Sequence, residues 1–328
     1  MSLLAVHDLS VSLKTAHGLQ EVVRHVDFSM DPGEQLGIVG ESGCGKSICA
    51  LALISLLPAD SQVRGNIILE GQDLLGLNPT QICGIRGNRI GMIFQEPMTA
   101  LNPVQQIGAQ IGESIRLHLK LSRKQTLDRV TELMDKVGLP VSRFPLNLYP
   151  HQLSGGQRQR VMIAMAIACN PILLIADEPT TALDVTVQEQ ILELIRELAD
   201  SLGMALIMIS HDLGVIAQTT QRVMVMYTGN IVEMGDTVDV FQNMRHPYTH
   251  GLFSAIPHVG GSKNFQRKRL TSIPGQVPEL HNRPVGCNFA DRCPRASNRC
   301  KRNEPPATRV SDHHQVWCYH PLDQSELN

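Results

Sequence analysis

The chain has 328 residues, 42% hydrophobic and 18% charged, enough apolar material for one large domain plus an appendage or for two modest domains, and not the composition of a disordered chain. Its formal net charge of −2 provides no global positive field for holding nucleic acid through its phosphates. The longest uninterrupted apolar run, Val161 to Cys169, is about half of the roughly 20 residues a membrane-spanning helix needs, and the opening MSLLAVHDLS lacks the charged start of a secretory signal, so a cytosolic chain is expected.

In chain order, the alternating segments Leu9 to Leu13 and Val22 to Met30, broken by Gly18 and by Asp31-Pro32-Gly33, predict antiparallel strands joined by turns. Gln35 to Val39 predicts a short buried strand. A glycine-rich loop follows, and Ser47 to Leu57 has helical spacing that stops at Pro58. Between Asn102 and Tyr149 helical patterns dominate, with Ser122 as an N-cap and Gly138 as a stop. Ile172 to Ala176 and Ala205 to Ile209 are continuous apolar runs, as expected of strands buried on both faces of a parallel sheet, and a helix from Val187 to Ala199 is their crossover. Past Pro257 the texture changes to Gly260-Gly261-Ser262, then Arg267-Lys268-Arg269 as a solvated linker, then a Pro- and Cys-rich tail. Of eight cysteines, Cys44, Cys49, Cys83 and Cys169 are scattered, while Cys287, Cys293, Cys300 and Cys318 crowd the tail, which in a reducing compartment points to a metal rather than to disulfides.

The chemistry concentrates in two places. Gly40-Glu41-Ser42-Gly43-Cys44-Gly45-Lys46-Ser47 has P-loop spacing, a strand-to-helix turn whose backbone N–H groups surround phosphate oxygens. The helix N-terminus favours the same anion, Lys46 reaches the β and γ phosphates, and Ser47 ligates Mg²⁺. Ile172 to Glu178 is a buried strand that delivers two adjacent carboxylates at its C-terminal edge: Asp177 for the Mg²⁺ shell and Glu178 as general base toward water.

With these in place, Leu153-Ser154-Gly155-Gly156-Gln157 is identical to the signature sequence of ABC (ATP-binding cassette) ATPases, and it opens a helix about 20 residues before Asp177. Gln95 resembles the Q-loop glutamine, Ala182-Leu183-Asp184 the D-loop and His211 the switch histidine. The resemblance implies an α/β P-loop NTPase fold with an antiparallel β subdomain and a helical subdomain. It implies ATP and Mg²⁺ as ligands, and two nucleotide domains packed head to tail so that Ser154, Gly155, Gly156 and Gln157 of one face the P-loop of the other. Lys46 and His211 would then act on the γ-phosphate, Glu178 on water, and Gln95 on Mg²⁺ and a membrane subunit. The usual adenine-stacking aromatic falls at His17, whose ring stacks less extensively and whose alternative is an ordinary surface histidine.

Gln95-Glu96-Pro97-Met98-Thr99-Ala100-Leu101-Asn102-Pro103, the segment His246-Pro247-Tyr248-Thr249 and the cysteine-rich tail resemble the oligopeptide, dipeptide and nickel importer ATPases of the D type. That implies an ABC domain over 1–257 with a helical insert near 97–165, and an extension over 258–328. It also implies a homologous F-type ATPase, two membrane permease subunits and an external binding protein as partners, at the cytoplasmic face of the inner membrane. The rival is a soluble repair ATPase with a zinc-binding tail; the single P-loop and the lack of sustained heptads argue against other soluble ABC classes.

The tail cysteines are separated by five, six and seventeen residues, among too little apolar material for a core, and a segment of that kind needs a staple. Four thiolates suit an iron–sulfur cluster or zinc, the latter with His313 or His314 as substitute ligands, and unligated structural cysteines are the third alternative. Tight C-x₂-C pairs are missing, and the resemblance implies a structural [4Fe-4S] cluster.

Overall fold

The computed structural model describes residues 2–181, 183–255 and 272–323. The Gly260-Gly261-Ser262 and Arg267-Lys268-Arg269 segments, Pro257 and Ala182 lie outside the described residues. Strands β1 (Leu4–Thr15) and β2 (Gly18–Met30) pair antiparallel, with Thr15 opposite Gly18 at the turn that the break at Gly18 predicts. The short strand β3 (Gln35–Val39) starts a second sheet, and β4 (Gln62–Leu69) and β5 (Gln72–Asp73) return to the first, whose order is β2-β1-β4-β5.

The second sheet gathers β6 (Ile90–Ile93), β7 (Leu173–Asp177), β8 (Ala205–Ser210), β9 (Arg222–Tyr227), β10 (Asn230–Asp236), β11 (Thr308–Ser311) and β12 (His314–Val316) around β3, in the order β11-β12-β10-β9-β3-β8-β7-β6. Neighbours from β9 to β6 are parallel, and β10, β12 and β11 extend the sheet antiparallel. Parallel neighbours require crossovers, and helices supply them. α1 (Lys46–Leu53) follows β3, and α2 (Pro79–Ile85) precedes β6. α3 (Pro97–Ala100), α4 (Ile107–His118), α5 (Arg123–Lys136) and α6 (Gly155–Ala166) stand between β6 and β7. α7 (Val185–Leu202) and α8 (Leu213–Thr219) complete the series; α9 (Thr237–Gln242), α10 (Pro247–Ser254) and α11 (Asn298–Arg302) belong to the C-terminal third.

Side chains alternate across a strand, and the central sheet uses both faces. Leu173, Ile175, Ile207 and Ile209 join the core shared with α1 and the antiparallel sheet, whereas Leu174, Ala176, Leu206 and Met208 join the core built with the helical side. That two-sided burial explains why these strands read as unbroken apolar runs. Ser122 caps α5 through a reciprocal capping box with Gln125, and Gly138 ends it at φ 72°, as the sequence predicts. α1 departs from expectation by stopping at Leu53. Ser55 takes the left-handed conformation (φ 51°) and the Leu56 N–H bonds the Leu51 carbonyl at 2.8 Å, a Schellman closure with Ser in the place glycine usually holds.

The tail joins the cassette core instead of hanging from it. β12 pairs with β10, His314 lies opposite Gly235, and the fully buried Glu233 carboxylate accepts the backbone N–H groups of Arg245 (2.6 Å) and His246 (3.0 Å). His314 Nε2 lies 2.8 Å from the same carboxylate. This imidazole is therefore committed to Glu233, which corrects the expectation that His314 could substitute as a metal ligand.

Candidate active site

The carboxyl ends of four adjacent parallel strands deliver the reactive groups to one edge, the position where open α/β sheets bind ligands: β3 leads into the P-loop, β6 into Gln95, β7 into Asp177 and Glu178, and β8 into His211. Gly45 caps α1 at φ 100°, and a Cβ there would lie 3.0 Å from the Val22 carbonyl, so only glycine lets the loop wrap this tightly. Lys46 is 5% exposed, and its Nζ donates to the Gly40 (2.7 Å) and Glu41 (3.2 Å) carbonyls. An ammonium buried against carbonyl oxygens, at a helix N-terminus, fits a phosphate.

Ser47 Oγ donates to Asp177 Oδ1 at 3.0 Å. Burial raises the Asp177 pKa, tempered by the Ser47 hydrogen bond, and the neighbouring Glu178 charge raises it further. A buried carboxylate and a hydroxyl on one point are donors that fit Mg²⁺. Glu178 sits in the left-handed region at φ 45°, its N–H tied to the Ile209 carbonyl at 3.0 Å. Such a conformation costs about 1 kcal/mol or more and concentrates at functional sites. One carboxylate oxygen, Oε2, accepts from Gln95 Nε2 (3.1 Å) and Thr181 Oγ1 (3.2 Å) and lies 3.3 Å from His211 Nδ1. Glu178, Gln95 and His211 thus meet at one atom, while the His211 side chain keeps 61% of its surface exposed.

Residues 23–181 match the family model described as ABC transporter, and residues 232–300 match that of the oligopeptide/dipeptide transporter C-terminal region. The chain is 50% identical over 305 residues to a putative peptide import ATP-binding protein of Brucella ovis, covering 90% of each chain. It is 48% identical to the oligopeptide transport ATP-binding protein OppD of Bacillus subtilis, covering 97% of this chain and 89% of that one. Identity to the dipeptide transport ATP-binding protein DppD of Escherichia coli is 44%, covering 99% and 98%. Among solved structures, a dimeric ATP-binding cassette in a post-hydrolysis state bound to ADP and Pi superposes with a TM-score of 0.64 at 25% identity, covering 71% of this chain and 98% of that one. The chain belongs to the ABC transporter ATP-binding proteins.

As an ABC ATPase, the cassette has its signature at the start of α6. Ser154 Oγ accepts from the Gln157 N–H (3.4 Å) and Gln157 Oε1 accepts from the Ser154 N–H (2.9 Å), a reciprocal box that sets the helix end. Ser154 and Gly155 are exposed, and a Cβ on Gly156 would lie 2.7 Å from a Val187 methyl, so α6 and α7 meet where only glycine fits. Asp184 caps α7. His17 stacks on His281, with ring centroids 4.1 Å apart. The cassette's match over 232–300 sets the tail with transporters and gives no support to the repair reading.

Cys287, Cys293, Cys300 and Cys318 line one small enclosed void, with His320 rather than His313 or His314 beside them. Burial pushes the Cys287 thiol to about 11 and Cys318 to about 12, and raises Cys293. Among the described residues, no three His, Cys, Asp or Glu side chains stand close enough together to hold a metal ion. The cassette also holds functional contacts that motif reading missed: Tyr248 Oη accepts the Glu41 N–H (2.8 Å), and Arg292 grips the Glu41 carboxylate. Their signals, a tyrosine in the HPYT segment and an arginine before Cys293, carry no partner information in sequence.

Proposed function

We propose that this cassette hydrolyses ATP at a composite site completed by a second, homologous F-type cassette, and so powers import of di- or oligopeptides. Two membrane permease subunits and an external binding protein are the remaining partners, and the cassette works at the cytoplasmic face of the inner membrane. The observation that carries the reading is the C-terminal region, which matches the oligopeptide/dipeptide transporter family and packs onto an otherwise general ATP-hydrolysing core. We divide the chain into a 1–257 cassette, with its helical insert near 97–165, and a 258–328 extension; the residues similar to the transporter C-terminal region begin earlier, at 232.

In this reading the amides of Gly40 to Ser47 and the Lys46 ammonium hold the β and γ phosphates, and Ser47, Asp177 and Gln95 hold Mg²⁺. Bound Mg²⁺ would neutralise the charge that develops on the transferred phosphoryl group. Glu178 takes the proton of the attacking water, and His211 orients on the γ-phosphate from its exposed position. The start of α6 at Ser154, Gly155, Gly156 and Gln157, with Ser154 and Gly155 exposed, serves the ATP held by the partner cassette. The four tail thiols, which border one void, would be the donor set for a structural [4Fe-4S] cluster, with zinc as the alternative occupant.

The purified chain alone is expected to hydrolyse ATP slowly and to be stimulated by its cognate second cassette and permeases in detergent or nanodiscs. Full, unstimulated turnover by a strict monomer removes the composite site. An ATPase rate in the complete reconstituted assembly that responds to neither di- nor oligopeptides removes peptide import.

A further inference from the structure

A carboxylate inside a phosphate-binding loop is electrostatically awkward. Glu41 follows the first P-loop glycine, its own carbonyl accepts from Lys46 Nζ, and it adds a negative charge to a loop built to hold an anion. The extension answers that charge from 251 residues further along the chain. Arg292 Nη1 donates to Glu41 Oε2 at 2.7 Å and Nη2 to Oε1 at 3.1 Å, a two-pronged grip. The guanidinium is itself fixed. Its Nε donates to the Pro274 carbonyl (3.0 Å), Nη1 also reaches Tyr227 Oη (3.3 Å), and its plane lies 5.8 Å and 5.9 Å from the Tyr227 and Phe289 ring centroids. Arg292 is 7% exposed, and Tyr227, Tyr248 and Phe289 pack on one another beneath it. Tyr248 Oη holds the backbone N–H of the same Glu41. Glu41 is thus fixed at both its main chain and its carboxylate by residues lying beyond the helical side and the strands that deliver the catalytic groups.

We propose that Arg292 is a P-loop positioning residue, which neutralises and anchors Glu41 so that the loop accepts the nucleotide phosphates. The inference rests on the P-loop reading above. Arg292 acts through Glu41, so its loss leaves a half-buried, uncompensated carboxylate on the P-loop and weakens nucleotide binding, while the groups at Glu178 that act on water stay in place. Removing the Glu41 charge as well relieves the repulsion. That rescue separates an electrostatic clamp from a merely structural contact, whose loss a second substitution at Glu41 would deepen.

The test is MgADP affinity by isothermal titration, with KM and kcat for ATP in the reconstituted complex. Arg292→Met is expected to weaken MgADP binding about tenfold and to raise KM in parallel, with kcat within about twofold of wild type. Glu41→Gln combined with Arg292→Met is expected to recover most of the lost affinity. Arg292→Gln, which removes the charge but keeps a polar group for the Pro274 carbonyl, carries the same test and the same Glu41→Gln rescue if the Met variant does not fold. Unchanged affinity in the Arg292 variants, or a loss that Glu41→Gln does not relieve, overturns the assignment. A Lys46→Ala variant that binds MgADP as tightly as wild type overturns instead the P-loop reading on which it rests; loss of binding in Lys46→Ala alongside unchanged Arg292 variants overturns the clamp alone.

Discussion

The ATP edge and the cysteine-lined tail are built on opposite plans. At the ATP edge the reactive groups sit at strand ends, above two cores that are closed without them, and the key glutamate occupies a strained backbone position. In the tail the cysteines sit among the buried side chains Phe289, Ala290 and Val316: Cys300 is 7% exposed, three thiols are pushed upward by burial, and among the described residues the strands are the short β11 and β12. A site grafted onto a finished scaffold can lose its chemistry while keeping its fold. A module whose cysteines help fill its interior is expected to lose its fold first.

Substitutions in each region put that contrast at risk. Glu178→Gln is expected to lower ATP turnover by at least about 100-fold while MgATP binding and the melting temperature hold, since a general base is lost and a strained position gains no new strain. A large drop in melting temperature would erase the contrast. If the tail thiols hold the proposed cluster, anaerobically purified wild type is expected to be brown with broad absorbance near about 400 nm, and Cys300→Ser is expected to do the reverse of Glu178→Gln, losing that absorbance and lowering stability by about 2 kcal/mol or more, read by denaturant titration. Colourless wild-type protein holding one equivalent of zinc would replace the cluster with zinc, and metal-free, fully folded protein would remove both.

The smallest effect belongs to the seam between the regions. His246 is 1% exposed, its Nδ1 accepts the Tyr248 N–H at 3.1 Å, and burial lowers its pKa from 6.5 to about 3. The unfolded chain binds this proton below pH 6.5 whereas the folded chain does not until about pH 3, so the contribution to stability is intact above 6.5 and is lost as pH falls through that window. Between pH 6.5 and 5 wild type is expected to lose about 1 kcal/mol per pH unit more than His246→Asn, which keeps an acceptor for the Tyr248 N–H without titrating. Parallel pH profiles would show that His246 is not buried neutral.

Local patterns carried the parts of the molecule that are local. The P-loop, the signature helix with its Ser154 cap, the two-faced runs of β7 and β8, and the capping box at Ser122 all announce themselves over a few residues. What motif reading missed is long-range or lies in unusual backbone. Arg292 on Glu41 spans 251 positions and His314 on Glu233 spans 81. The early end of α1 depends on a serine adopting a conformation that sequence assigns to glycine. Within the site, the convergence of Gln95, Thr181 and His211 on one oxygen of Glu178 follows from the order of strands β6, β7 and β8, which periodicity alone cannot rank.

The pairing of β12 with β10 has a consequence for biosynthesis. Residues 233–235 emerge from the ribosome about eighty codons ahead of the segment that covers them, so a nascent chain carries an open sheet edge and an acid, Glu233, without its histidine. A premature stop codon between Arg292 and His314 would yield a chain with its nucleotide machinery written in full and one flank, the open β10 edge, exposed to pairing with its neighbours.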